Sequence, residues 1–245
     1  MKSARIVYAG VRQEAFESDG RVRLADGRNV EEQDLVWLPP LEPGAIFALG
    51  LNYREHAKEL AFEAPGEPLI FLKGPNALCG HRGHTVRPTG VRYMHYECEL
   101  AVVIGRPARN VKRANAYDYV RGYTVANDYT IRDYLENYYR PNFRAKSRDR
   151  ATPLGPWLVD AADVADPMNL TLRTTVNGKL TQEGSTQDMT FSIPALIEHL
   201  SSFMTLRAGD LILTGTPEGL SGVERGDEVV TEIESVGRLI NSVVG

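Results

Sequence analysis

Glu97 and Glu99 open an otherwise apolar run, Tyr96-Glu97-Cys98-Glu99-Leu100-Ala101-Val102-Val103-Ile104-Gly105. In a strand, alternate residues share a face, so both carboxylates point the same way as Ala101 and Val103. Acids on such a face are costly to bury unless they protonate, meet basic side chains or close on a cation. A third acid, Asp128, ends a second strand-like run, Gly122-Tyr123-Thr124-Val125-Ala126-Asn127-Asp128. Three carboxylates with open coordination positions, and no thiolate or imidazole cluster among them, suit Mg²⁺ or Mn²⁺. The E-x-E spacing is common, and its competing reading is a solvated edge strand with Asp128 merely opening a turn.

Other polar groups sit at the ends of short elements. Asn52 to Leu60 reads as a helix with Asn52 as N-cap and a stop at Pro65-Gly66. Tyr53, Ala57 and Leu60 form its apolar stripe, and His56 and Glu59, three apart, are neighbours at its margin. For an isolated H-x-x-E the ordinary reading is a pair of exposed surface groups. Lys73 ends the apolar strand Leu69-Ile70-Phe71-Leu72-Lys73, where a lysine serves an anionic ligand or snorkels to solvent. Arg132 follows Asp128 by one helical turn, and Arg140, Arg144, Lys146, Arg148 and Arg150 come soon after. Six basic groups beside an acidic metal site suit a substrate with several carboxylates; the alternative is a cationic loop or a subunit contact. The loop Cys79-Gly80-His81-Arg82-Gly83-His84 is not assigned a metal, because its spacing matches no common zinc pattern.

The elements that must position these groups follow from composition and periodicity. The chain has 245 residues, 24% charged and 42% hydrophobic, with a net charge of -4. That is ordinary globular composition, and nothing in it points to nucleic acid. The amino terminus lacks the apolar stretch of a signal peptide, and no run approaches the roughly 18 apolar residues of a membrane span, so a cytoplasmic protein with reduced Cys79 and Cys98 is expected. Residues 1–43 read as a small β-rich unit, with turns at Asp19-Gly20 and Asp26-Gly27, followed by a Pro/Gly-rich linker; residues 44–245 read as the second, larger unit. Ala45 to Gly50 is a strand, Ala114 to Val120 a helical turn, and Leu170 to Thr181 a hairpin about Asn177-Gly178. Ser192 to Phe203 is a helix with an apolar face that includes a structural His199, and the strands after Asp210 suggest a closed or rolled β structure. There is no G-x-S-x-G, P-loop or G-x-G-x-x-G motif, which removes support for serine hydrolysis, nucleotide use and dinucleotide binding.

Taken in order, Gly50-Leu51-Asn52-Tyr53 with His56 and Glu59, Phe71-Leu72-Lys73, Glu97-x-Glu99-Leu100, Gly122-Tyr123-Thr124 with Asn127-Asp128, Arg132-Asp133, Lys146-Ser147 and Leu213-Thr214-Gly215-Thr216-Pro217 resemble the fumarylacetoacetate hydrolase family. The resemblance implies an α+β, mostly β fold, a mixed β-roll. It implies a divalent metal, Mg²⁺ or Mn²⁺, on Glu97, Glu99 and Asp128, an acid/base pair at His56 and Glu59, and Lys146 near the substrate. Lys73, Arg132 and Thr216 are the weaker candidates for holding substrate carboxylates.

Tyr93 to Glu97 and Arg132 to Asn142 look like the carboxy-terminal half of the family's two-copy, bifunctional form. The implied activity is isomerisation and decarboxylation of 2-hydroxy or 2-oxo dienoate diacids in aromatic catabolism, through a dienolate whose charge the metal draws onto oxygen. Seven residues after Asp128 the family's hydrolases usually carry a glutamine, whereas this chain has Leu135. An acylpyruvate hydrolase is the alternative enzyme, and a catalytically silent metal-binding subunit the alternative outside enzymes. The expected partner is a second copy, with Tyr138-Tyr139 in the interface core, or a paralogous subunit.

Overall fold

Alternating polarity makes strands of residues 2–38 in the computed structural model, which describes residues 1–61, 65–135 and 142–245. They are β1 (Lys2–Tyr8), β2 (Val11–Ser18), β3 (Arg21–Leu24), β4 (Asn29–Val30) and β5 (Leu35–Leu38). Ile6, Ala15, Leu24 and Trp37 point inward and form one core cluster. The Asp19-Gly20 turn falls where the sequence puts it, and an unforeseen turn at Ala9-Gly10, with φ of 48° and 78°, joins β1 to β2. Paired left-handed residues match strand twist in a hairpin, but alanine carries no turn signature. β1 also pairs at Lys2↔Val159 and Ser3↔Leu158 with a strand far along the chain, so these N-terminal strands extend the main sheet.

β6 (Ile46–Gly50) leads into α1 (Arg54–Glu59), and β7 (Leu69–Lys73), β8 (Leu78–Cys79), β9 (Gly83–Val86) and β10 (Met94–His95) follow. The expected helix forms, but its N-cap is Tyr53, with no side-chain capping bond. Asn52 instead donates to Phe191 O (3.1 Å) and Thr214 O (2.8 Å) and accepts from Phe191 N (2.8 Å). A buried amide must satisfy all its polar atoms, and two distant loops offer more partners than one helix end.

β11 (Cys98–Ile104), β12 (Val120–Asn127), β13 (Thr130–Ile131), α2 (Phe143–Lys146) and β14 (Thr152–Asp160) carry the centre of the molecule. β11 is buried on both faces, with Cys98, Leu100, Val102 and Ile104 in one cluster and Ala101 and Val103 in another. Gly122 lets β12 lie against β14, since a Cβ there would stand 2.2 Å from Val159 O. After Asp128 the chain does not coil. It runs extended through β13, because Thr130 and Ile131 pair with His95 and Met94, and only then makes a 3-10 turn over Arg132–Tyr134.

β15 (Thr171–Val176) and β16 (Lys179–Ser185) form the hairpin at Asn177-Gly178, where φ is 50° and 77°. α3 (Ile193–Phe203) is capped by the Ser192 hydroxyl, which accepts from Ala195 N at 3.4 Å, and His199 packs edge-on against Phe203. β17 (Leu211–Leu213), β18 (Glu228–Ile233) and β19 (Gly237–Val244) complete the fold. Among the described residues the large sheet runs β4-β3-β2-β1-β14-β12-β11-β17-β6-β7, with β5 on β1 and β8 on β14. A second sheet runs β16-β15-β18-β19-β9. The fold is therefore α+β and mostly β, a mixed roll. No helix among the described residues is long and apolar enough to cross a membrane. Cys79 and Cys98 are both buried and unpaired.

Candidate active site

Antiparallel pairing of β11 with β12 sets Cys98 opposite Asn127, which brings the residues just beyond both strand ends together. Asp128 N donates to Glu97 O at 2.8 Å. Carboxylate oxygens of Glu97, Glu99 and Asp128 all lie within 4.8 Å of one another, and the three residues are only 4%, 0% and 0% exposed. The strand in question is central, so the solvated-edge reading of E-x-E does not hold.

Three cations surround the acids. Lys73 Nζ donates to Asp128 Oδ1 at 2.5 Å and to the Lys146 carbonyl. Lys146 Nζ bridges Glu97 and Asp128 Oδ2, the latter at 2.9 Å. Arg132 Nη2 donates to Glu97 Oε1 at 2.8 Å, and Thr130 Oγ1 donates to the same oxygen at 2.7 Å. Burial alone would raise the Glu97 carboxyl, but the charges of Lys146 and Arg132 overcome it and hold the group down to about 2. Burial lowers the Lys146 ammonium too, yet Asp128, Glu97 and Glu99 together leave it above its ordinary value.

Glu99 differs. Its Oε2 accepts from Gly215 N at 2.7 Å, while its buried Oε1 has no partner among the described residues. Burial, then the Asp128 charge, holds this carboxyl well above the usual range. An unpartnered buried oxygen in an all-oxygen set of three acids is what a hard divalent cation satisfies, so the residues fit Mg²⁺ or Mn²⁺. Gly215 can grip Glu99 because its φ of +88° suits glycine and a Cβ there would meet Asn52 Cβ at 3.0 Å.

Beside the acids is a cavity of about 350 Å³. Its polar wall holds His56, Glu97, Arg132, Lys146 and Thr216, and its apolar wall includes Leu60, Phe71 and Leu135. Glu99 and Asp128 are wholly buried, and of the three acids Glu97 is the one on the cavity wall. His56 is only 4% exposed, contrary to the surface reading of H-x-x-E. Its Nδ1 lies 3.2 Å from Glu59 Oε2, and Glu59 Oε1 accepts from Gly219 N at 3.2 Å. Burial lowers the His56 pKa, with Glu97 and Glu59 opposing it, so the imidazole stays neutral more readily than a solvated one.

Lys73 is placed differently from a substrate anchor. Its side chain is 0% exposed and is spent on Asp128, so it steadies an acid from behind. Of the other basic residues after Asp128, Arg144 lies over the Tyr134 ring at 4.0 Å, Arg150 Nε donates to His84 O at 3.0 Å and Arg148 is exposed. Arg140 and the Tyr138-Tyr139 pair lie outside the described residues. Asn142, on the cavity wall, and His95, whose Nδ1 accepts from Arg132 Nε at 3.3 Å, lie in the runs that carry the resemblance but have no role assigned from sequence. Proximity of His95 to Glu97 in the chain was the available signal. In the His81 loop, His81 Nδ1 accepts from Ile240 N at 3.1 Å, and burial pushes its pKa down to about 4.

A mixed β-roll that gathers three buried acids beside a His–Glu pair defines a class. The chain belongs to the fumarylacetoacetate hydrolase family: the family's fumarylacetoacetate (FAA) hydrolase C-terminal profile matches residues 45–244. It is 61% identical over 221 residues to the 4-hydroxyphenylacetate degradation bifunctional isomerase/decarboxylase of Salmonella dublin, across 90% of this chain and 51% of that protein. It thus spans about half the length of that relative. Among solved structures it is similar to 5-carboxymethyl-2-hydroxymuconate delta-isomerase from Mycobacterium smegmatis, with 38% identity, a TM-score of 0.87, and coverage of 100% of this chain and 98% of that one. It is also similar to fumarylpyruvate hydrolase from Pseudomonas aeruginosa in complex with Mn²⁺ and pyruvate, with 32% identity, a TM-score of 0.77, and coverage of 84% and 91%.

Proposed function

We propose that the chain is a Mg²⁺- or Mn²⁺-dependent isomerase and decarboxylase of 2-hydroxy or 2-oxo dienoate diacids of the 2-hydroxyhepta-2,4-diene-1,7-dioate type. The observation that carries this reading is the unpartnered Glu99 Oε1 within a buried three-carboxylate set at the end of a cavity. The bifunctional isomerase/decarboxylase relative and the delta-isomerase structure supply the reaction types. A divalent cation on Glu97, Glu99 and Asp128 would supply a Lewis acid for the 2-oxo oxygen and adjacent carboxylate.

The chain's own groups do the rest. Lys146 and Arg132 line the cavity and place positive charge where a substrate carboxylate or enolate oxygen must sit. His56 has Nδ1 engaged by Glu59, which leaves Nε2 to take or return the proton on substrate carbon. Leu60, Phe71 and Leu135 give the conjugated carbon chain an apolar wall and restrict water there.

Loss of CO₂ from a carbon vinylogous to the 2-oxo group and deprotonation of the 2-hydroxydienoate lead to the same substrate dienolate. One site therefore suffices for both reactions, and only reprotonation separates them. The hydrolytic alternative uses His56 and Glu59 to activate water, and the fumarylpyruvate hydrolase neighbour keeps it in view. Leu135 on the wall offers no donor to an oxyanion, which favours isomerisation and decarboxylation. The test is to incubate the protein with Mg²⁺ and acylpyruvates, oxaloacetate or the heptadienedioate, following ultraviolet absorbance, CO₂ and cleaved acids. Cleavage of acylpyruvates with no effect on the dienoate would overturn the reading, and inertness toward every substrate would favour a silent metal-binding subunit. The functional unit in this reading is a homodimer or a pair with a paralogous subunit, and light scattering of active protein checks it.

A further inference from the structure

Gln182 lies on β16 and is 2% exposed. Its Nε2 donates to Thr216 Oγ1 at 2.9 Å and to Pro217 O at 2.8 Å, while its Oε1 accepts from Thr174 Oγ1 at 2.9 Å. A backbone carbonyl only accepts, so the bond to Pro217 O fixes which end of the amide is nitrogen. Thr216 Oγ1 must then be an acceptor toward Gln182, and its own O–H must point elsewhere. Among the described residues that O–H donates to no protein acceptor, and Thr216 lines the cavity. It follows Gly215, whose amide holds Glu99 Oε2.

We propose that Gln182 is a positioning residue for substrate binding: the relay Thr174–Gln182–Thr216 presents the Thr216 hydroxyl to the cavity as a donor for an oxygen of the substrate's 2-oxo-carboxylate end. The inference rests on the functional reading above and adds to it a residue from the second sheet. Each polar atom of the Gln182 side chain is used, and Thr174, Gln182 and Thr216 are buried, so the hydroxyl is oriented before substrate arrives. Preorganised donors of this kind strengthen binding because little ordering remains to be done at the moment of contact.

The experiment is calorimetric titration of pyruvate into Mn²⁺-loaded protein, with the Mn²⁺ affinity of every variant measured alongside. Thr216→Val and Gln182→Met are each expected to weaken pyruvate binding roughly tenfold, the size of one hydrogen bond to a charged group. Mn²⁺ affinity should stay as in the wild type. Thr216→Ser, which keeps the hydroxyl, should retain pyruvate affinity. The double variant Gln182→Met/Thr216→Val should bind pyruvate no worse than Thr216→Val alone, since Gln182 acts through that hydroxyl. Thr174→Val keeps the amide and removes only one bond that orients it, so a loss of about threefold that vanishes in the Thr216→Val background gives a second arm should Gln182→Met not fold. Wild-type pyruvate affinity in Gln182→Met or, if that variant does not fold, in Thr174→Val, effects that multiply in the double variant, or a parallel fall in Mn²⁺ affinity each overturn the relay alone. A wild-type protein that binds Mn²⁺ but not pyruvate overturns the functional reading together with it.

Discussion

The loop from Cys79 to His84 and the strand ends at Glu97, Glu99 and Asp128 both gather side chains of metal-ligand type, yet they differ in what those side chains are doing. In the loop every buried candidate is already satisfied. His81 takes a backbone N–H from Ile240 and packs edge-on against Trp37 at 5.3 Å, and Cys79 donates to Arg150 O at 3.6 Å while burial pushes its thiol up to about 11. At the strand ends three acids converge and one carboxylate oxygen is left without a partner. Residue type is the same kind of evidence in both places; convergence with unmet polar demand is what separates a site from a well-packed loop.

The sharpest way to break that contrast is to neutralise one acid. Glu99→Gln, Glu97→Gln or Asp128→Asn should each cost roughly a thousandfold in metal-dependent turnover of either reaction while the protein stays folded by circular dichroism. A Glu99→Gln protein that loses one reaction and keeps the other at the wild-type rate breaks the shared-site mechanism, and full turnover after EDTA treatment breaks the metal assignment. Lys73→Met tests the support behind the acids. Removing one partner of a buried pair should destabilise the EDTA-treated protein by roughly 3 kcal/mol in urea unfolding, and saturating Mn²⁺ should recover much of that loss. An equal loss with and without Mn²⁺ would show that Lys73 serves packing rather than the charge balance of the acids.

His56→Ala should lower isomerisation by roughly a hundredfold and CO₂ release by less, because only the former needs a base at every turnover. Equal losses in both would assign His56 to binding. The smallest effect is expected in the loop. The unfolded His81 imidazole takes up a proton near its ordinary value of 6.5, whereas burial holds the folded one down to about 4. Its contribution is therefore complete above pH 6.5 and drains away as pH falls toward 4. His81→Gln should remove about 2 kcal/mol of the stability difference between pH 7 and pH 4.5 and leave Mn²⁺ binding unchanged. A fall in Mn²⁺ affinity in this variant would erase the contrast between the two regions.

Much of the site was legible because it depends on short-range geometry. Period-two alternation put Glu97 and Glu99 on one face, helical spacing put His56 beside Glu59, and Asn177-Gly178 announced its hairpin. Other placements have physical reasons that no local pattern carries. Asn52 has the chemistry of an N-cap but is drawn to Phe191 and Thr214, and Arg132 reaches Glu97 not through a helical turn but after Thr130 and Ile131, which β10 holds extended. Lys73 ends its strand as a substrate anchor would, yet closes on Asp128.

By itself the sequence determined which residues can share a face and which chemistry those types allow, because strand and helix periods are properties of the backbone alone. It thereby determined the three acids, the His56–Glu59 neighbours and the mostly β character of the chain. Only the tertiary structure decided that β11 is central rather than an edge, that His56 is buried, and that Gln182 of the second sheet reaches Thr216 of a distant loop. Those outcomes depend on which surfaces pack together, and hence on where water is excluded and which polar atoms are left to find partners across the fold.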